Sequence, residues 1–437
     1  MMKQYDSYKD SGVEWIGKIP SHWDCVRLKF YCAPLKSGGT PKSDDQSFYS
    51  SDGTPWVAIS DMSSTTFIFD TEKHLTKEGI EDKKLVIYPV GTLLYSIYAT
   101  LGKVSELKVP ACINQAILAI SPKSEYDKVY FRYCLQTQEQ YVFSLSNGNT
   151  QNNLNAEKVA NFYLVLPPLS EQQNIASYLD NRCGEIDKAI ATQEKRVELL
   201  KELRQNIIIQ AVTRGINPNA PLKDSGVEWI GEVPEHWKVM KMNHALRSIA
   251  DVNHYMPDSV SEGYPYIMTG DLKEYLSEID LDSCKRISEE DYKGLIVKSK
   301  AQKGDVIFAR YATIGTVCYV DVDKDFVVSY SCVTIKPNSS ILDGLFLFYY
   351  LQTHTFFEDV SQSINSNTQG NVGIESLSAS RLIVPPISEQ QEIVSFIETK
   401  TARLDKSIEK AEHQIELLQE LKQSIITEVV TGKRKVD

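Results

Sequence analysis

The stretch SEQQNIASYLDNRCGEIDKAIATQEKRVELLKELRQNIIIQAVT, residues 170–213, occurs a second time in closely similar form at residues 388–431. In the first copy Leu179, Cys183, Ile186, Ile190, Val197, Leu200, Ile207 and Ala211 recur at mixed steps of three, four and seven. That spacing makes one apolar stripe on a long helix, close to a heptad seam. A shift of 218 places Ile397, Thr401, Leu404, Ile408, Ile415, Leu418, Ile425 and Val429 in the second copy. Pro167-Pro168 and Pro385-Pro386 precede the two copies, and Ser170 with Gln173, like Ser388 with Gln391, predicts a capping box. At ~1.5 Å rise per residue such a helix is roughly 65 Å long, far above the usual globular length. A lone stripe fits a helix packed on its own domain equally well, but duplication favours two helices packed on each other. Arg204 and Lys422 at equivalent seam positions suit a coil whose edge reaches water.

A second repeat lies outside the helices. DSGVEWIGKIPSHW at residues 10–23 returns as DSGVEWIGEVPEHW at residues 224–237. The second copy follows the first long helix. By symmetry the first belongs beside the end of the second helix, so that the termini meet and the chain is pseudo-circular. A twofold axis relating the halves then makes the helices antiparallel.

Between the repeats, residues 24–166 read as a compact α+β domain. A turn at Lys36-Ser37-Gly38-Gly39-Thr40-Pro41 leads to a strand-like run at residues 55–62. Strand-rich stretches at 86–104 and 112–122 follow, then a helix around Tyr130 to Tyr141 and an amide-rich turn at 147–153. The second half repeats this plan: residues 265–272 match 55–62, Ala312-Thr313-Ile314-Gly315 matches Ala99-Thr100-Leu101-Gly102, and 367–371 match 149–153. The resulting partition is a repeat segment (1–23), a first domain (24–168), a central helix (169–213), a linker with the second repeat segment (214–237), a second domain (238–386) and a distal helix (387–437).

Length allows two or three domains. With 437 residues, 42% apolar and 24% charged, the composition is that of an ordinary globular protein. No run of about 18 apolar residues and no signal-like N-terminus is present, which leads us to expect a cytoplasmic protein. Eight cysteines without a CxxC pair read as small apolar residues. A net charge of −11 disfavours nonspecific nucleic-acid binding. The two domain regions carry 14 Lys+Arg against 15 and 19 Asp+Glu, so a DNA-facing surface has to be local or supplemented by a partner.

Catalytic patterns fail on inspection. Residues 12–18 resemble a phosphate-binding loop, but Ile19 stands at the magnesium-liganding position and Glu232 replaces Lys18 in the other copy. Asp258, Asp271 and Lys273 have a loose nuclease spacing, and Ser63 replaces the lysine in the first half. His22 and His236 sit in the repeat and read as structural. We therefore expect neither a catalytic centre nor a metal site. Polar loop residues suit base or phosphate contacts instead: Lys36, Ser37, Thr40, Lys42, Ser43, Ser96 and Tyr98, then Arg310 and Tyr311. Asn149 with Gln151 and Asn367 with Gln369 fit either base contact or a turn at the helix base.

The ordered, duplicated set of DSGVEWIGxxPxHW, the GGTP turn, ATLG and ATIG, the Asn-Thr-Gln turns, and PPLSEQQ and PPISEQQ resembles the specificity subunit of type I restriction-modification enzymes over essentially the whole chain. That resemblance implies two target-recognition domains, each reading half of a split DNA site. It further implies an antiparallel coiled coil holding them apart, two docked methyltransferase subunits, and translocating restriction subunits. S-adenosylmethionine, ATP and magnesium then belong to those partners. The second half departs from the pattern, with DVNHYMPDSVSEG (251–263) in place of GGTP, which implies a different half-site. Two other classes remain: an assembly scaffold without sequence-dependent DNA binding, and a self-sufficient nuclease dependent on Asp271.

Overall fold

The computed structural model describes residues 4–62, 65–146, 154–252, 254–361 and 371–436, with backbone alone for 139–141 and 143–146. Asn149, Gln151, Asn367 and Gln369 lie outside the described residues. The chain divides into two compact units, Met1–Glu194 with His413–Asp437, and Lys195–Glu412.

In the first unit a five-stranded sheet runs in the order Lys36–Ser37, Ile117–Ile120, Leu93–Ser96, Val104–Leu107, Phe67–Ile68. A three-stranded sheet joins Cys112–Ile113, Tyr49–Val57 and Lys73–Leu75. Tyr95, Leu118 and Ile120 share a core with Phe131 and Leu135 of the helix Lys128–Ser146, and with Leu179, Ile186, Ile425 and Val429 of the long helices.

The second unit repeats this construction. Its four-stranded sheet runs Leu246–Ala250, Cys332–Pro337, Val306–Ala309, Val317–Tyr319, and Lys285–Ile287, Tyr264–Ile267 and Val327–Val328 form the three-stranded one. Its core sets Phe308, Ile335, Phe346 and Tyr350 against Ile208, Val212, Ile393 and Ile397.

The repeated stretches are continuous helices, Leu169–Arg214 and Ile387–Val430. In the second unit Lys201 pairs with Glu412 at 2.9 Å and Arg204 with Asp405 at 3.0 Å, so numbering rises along one helix as it falls along the other. The pairing is antiparallel. In the first unit Lys422 holds Asp187 at 2.6 Å, which is the Arg204–Asp405 contact repeated with the helices exchanged.

Seam residues Leu179, Cys183, Ile186, Val197, Ile397, Thr401, Ile408 and Ile425 are buried, and Ile190, Leu200, Ile207, Leu404, Ile415 and Leu418 are half-buried. The periodic stripe misses Ile208, Val212, Ile426 and Val430, all buried. Near its C-terminus each helix buries a second face against a domain, and one heptad seam does not describe two faces.

The capping boxes are not formed. Each helix starts two residues earlier than the box requires, at Leu169 and Ile387, and its entry is held by a buried glutamine. Gln172 accepts from the Asp127 amide at 3.0 Å and donates to the Pro167 carbonyl at 2.8 Å. Gln390 accepts from Asp343 at 2.7 Å and donates to Pro385 at 2.8 Å. The run at 55–62 is not one strand either. Strand Tyr49–Val57 ends in a helical turn, Ile59–Met62, where Asp61 accepts from the Ala58 amide at 2.8 Å.

The repeat segments wedge a tryptophan beside each helix end. Trp23 and Trp237 are fully buried. In the first unit the N-terminal segment meets the end of the distal helix: Tyr8 donates to the Gly432 carbonyl at 3.2 Å, and Gly432 lies against Pro20 and Trp23. In the second unit Gly215 occupies the same place against Trp237. Both glycines have positive φ just past their helices, where a side chain would strain the backbone.

Candidate nucleic-acid interface

Each unit carries one hairpin of unusual backbone. Strand pairs Leu93–Ser96 with Val104–Leu107, and Val306–Ala309 with Val317–Tyr319, are joined by the Tyr-Ala-Thr-Leu/Ile-Gly loops. Ala99 and Ala312 sit at φ 57° and 56°. A left-handed alanine costs roughly 1–2 kcal/mol. The strain is over-determined by matching bonds: Ser96 N to Lys103 O at 3.0 Å with Gly102 N to Ser96 O at 3.0 Å, and Ala309 N to Thr316 O at 2.9 Å with Gly315 N to Ala309 O at 3.0 Å. Strain kept in both units marks a loop whose shape is selected.

A second wall stands beside each hairpin. Asn114 N bonds Val57 O at 3.0 Å and Ile97 N bonds Ala116 O at 2.9 Å; Ser329 N bonds Ile267 O at 2.8 Å and Arg310 N bonds Ser331 O at 2.9 Å. These bonds equate Ile97 with Arg310, Tyr98 with Tyr311 and Gln115 with Tyr330. One frame therefore carries different side chains.

In the first unit the GGTP turn closes on this frame. Gly38 and Gly39 donate to the carbonyls of Asn114 and Ile113 at 3.2 and 3.1 Å, and a methyl on Gly38 would land on the Ile113 carbonyl oxygen. Thr40 is hydrogen-bonded to Gln115, and the Trp56 indole donates to Gly39 O at 3.0 Å. Lys36, Ser37, Lys42 and Ser43 are exposed along the same run, and Tyr98 is 48% exposed on the hairpin. Ser96 requires correction: it is fully buried, and its hydroxyl bonds Thr100 O and accepts from Lys103 N at 3.0 Å. It shapes the loop and does not face outward.

In the second unit Arg310, the other candidate for a base or phosphate contact, is only 5% exposed and is engaged by its neighbours. Its guanidinium donates to Asp251 at 2.8 Å, lies 3.4 Å from His254 Nε2 and stands 5.2 Å over the Tyr311 ring. His254 packs on Tyr330 at 5.3 Å and edge-on to Tyr311 at 6.1 Å. Tyr311 is half-buried. Sequence reasoning missed Gln115, Asp251, His254 and Tyr330. The break in the GGTP pattern at Asp251 was the available signal for two of them.

Of the nuclease-like residues, Asp271 makes a structural contact. Asp271 accepts from the Met268 amide at 2.8 Å, repeating the Asp61 contact of the first half. His22 and His236 bond Glu171 and Glu389, each at 2.7 Å. Among the described residues no group of three His, Cys, Asp or Glu is placed to hold a metal ion. A cleft of about 740 Å³ in the second unit is lined by Glu274, Glu278, Glu398 and Glu409, while its Lys201 and Arg204 are paired with acids. Its charge is wrong for a phosphate backbone. No helix among the described residues is long and apolar enough to cross a membrane.

Comparison with known proteins agrees with this geometry. The family model for the type I restriction modification DNA specificity domain matches twice, at residues 20–202 and 237–417. The chain is 23% identical over 436 residues to the type I restriction enzyme MjaIX specificity subunit of Methanocaldococcus jannaschii, covering 97% of this chain and 96% of that one. It is 25% identical over 335 residues to the EcoBI specificity subunit of Escherichia coli, covering 74% and 69%. A solved structure from work on complex assembly and conformational transition of the type I R-M system shares the fold, with TM-score 0.66 and 17% identity over 94% of this chain and 98% of that one. With two matched domains spanning most of its length, the chain belongs to the type I restriction-modification DNA specificity family, as a non-catalytic specificity subunit.

Proposed function

We propose that the two units read the two halves of a bipartite DNA sequence, with residues 24–168 and 238–386 as the recognition domains. The observation that carries this reading is the hairpin frame built twice, with the same strained alanine but with Ile97 and Gln115 in one unit where Arg310 and Tyr330 stand in the other. A shared frame with exchanged side chains suits two modules that bind one polymer and differ in the bases they accept. Lys36, Ser37, Thr40, Lys42, Ser43 and Tyr98 supply contacts in the first domain, and Tyr311 with its neighbours in the second. Asn149, Gln151, Asn367 and Gln369 are further candidates.

The paired helices act as the spacer that fixes the gap between half-sites. They also dock two methyltransferase subunits, one per repeat. Leu199 and Leu203 are exposed on the central helix, and Leu417 and Leu421, the matching positions, are exposed on the distal helix. Leucines exposed at a four-residue spacing form an apolar stripe that an isolated chain has no reason to keep. Restriction subunits with translocase activity join through that core. S-adenosylmethionine, ATP and magnesium are carried by these partners, and the complex works in the cytoplasm, where the chromosome is.

The test is to co-express the chain with its methyltransferase subunit in a modification-free host and to read methylated bases by single-molecule sequencing. One split motif with a fixed gap is expected, altered in one half only when residues 24–166 are exchanged for those of a relative. A stable complex that methylates no motif refutes the reading in favour of a scaffold.

A further inference from the structure

The replacement for GGTP in the second unit sets an exposed side chain, His254, beside the buried Arg310. A guanidinium donates and never accepts. The tautomer that fits the 3.4 Å contact from Arg310 Nη2 therefore has His254 Nε2 accepting and carries the ring proton on Nδ1. Arg310 is itself held by Asp251 at 2.8 Å, and Tyr330 and Tyr311 flank the imidazole. His254 is exposed, as are Tyr255 and Met256 after it.

We infer that His254 is a specificity-determining residue of the second domain, donating from Nδ1 to an acceptor on a base edge. Arg310 and Asp251 are its positioning residues. This rests on the recognition reading above and assigns one contact within it. The major groove offers such acceptors on guanine (O6, N7), adenine (N7) and thymine (O4) but presents a donor on cytosine, so a fixed donor selects among bases. In the first unit Ile97 stands in place of Arg310 and the polar contact is Thr40 with Gln115, so that domain sets a different group at the same point of the frame.

The experiment reads the methylation motif of the full chain, co-expressed with its methyltransferase subunit, as wild type, His254→Ala, His254→Asn and Arg310→Lys. His254→Ala is expected to lose discrimination at one position of one half-site, by roughly tenfold or more for a lost base contact. The other half-site and the gap stay unchanged. His254→Asn, which keeps a side-chain N–H, recovers part of the preference at that position. Arg310→Lys keeps the charge beside Asp251 but not the fork that orients the ring, and relaxes the same position. A wild-type motif that His254→Ala leaves untouched, or one relaxed in the other half-site than Arg310→Lys affects, overturns the assignment while leaving the recognition reading intact. A wild-type chain that yields no split motif overturns both.

Discussion

Glu171 accepts a hydrogen bond from His22 at 2.7 Å, 149 residues away in sequence, and its other oxygen accepts from the buried Trp23 indole at 3.0 Å. One carboxylate of the helix start thus holds the His-Trp end of the repeat segment. Glu389 holds His236 in the same way, but the Trp237 indole nitrogen is buried with no partner among the described residues. Glu171→Ala leaves a buried donor unpaired and is expected to destabilise the first unit by about 1–3 kcal/mol. Glu389→Ala removes one exposed contact and is expected to cost about 1 kcal/mol or less. Urea midpoints followed by tryptophan fluorescence should rank the two variants in that order.

Gly38 admits no side chain. Gly38→Ala drives a methyl into the Ile113 carbonyl and opens the turn that presents Thr40 and Lys42. Methylome sequencing should show the half-site assigned to residues 24–166 degraded, with the other half and the gap retained. Loss in both halves would mean that the turn supports the whole protein.

Glu106 gives the first unit an acid limit. Burial pushes its carboxyl up, but hydrogen bonds from Lys108 and Lys128 and their charges outweigh that, leaving it below its ordinary value of 4.5. The folded state therefore favours the carboxylate. Its stabilising contribution is present above about pH 4.5 and is lost as pH falls through the lower folded value. Glu106→Gln should flatten this part of the stability loss in urea titrations between pH 7 and 3, while lowering stability at pH 7.

Leu199→Lys with Leu203→Lys should leave the circular dichroism of the isolated chain unchanged, since both side chains face solvent. Native mass spectrometry of the co-expressed complex should then show one methyltransferase subunit fewer than wild type. The Leu417→Lys, Leu421→Lys variant should do the same, and all four changes together should remove both. Unchanged stoichiometry would place the docking surface elsewhere.

A spacer formed by paired helices has to lengthen on both strands of the pair. Inserting four residues after Gln193, with four more after the equivalent Ala411, adds about 6 Å of helix rise. The gap in the methylated motif should widen by roughly two base pairs, with both half-sites unchanged, at 34–36 Å per turn of DNA. Altered half-sites with a constant gap would refute the spacer role of the helices.

The sequence by itself determined the architecture. Its repeats are long and their periodicity is local: the heptad stripes, the copied DSGVEWIG segment and the equivalent Arg204 and Lys422 positions all follow from spacing along the chain. The antiparallel pairing and the meeting of the N-terminal segment with Gly432 followed from symmetry alone. Only the tertiary structure decided which polar residues are presented. Ser96 and Arg310 are polar in sequence and buried in space, because hydroxyl and guanidinium groups that close a strained hairpin or hold a neighbouring ring are drawn inward by their partners. His254 and Gln115 come forward for the same reason. Their partners lie 56 and 75 residues away, and no local pattern records a contact made across the fold.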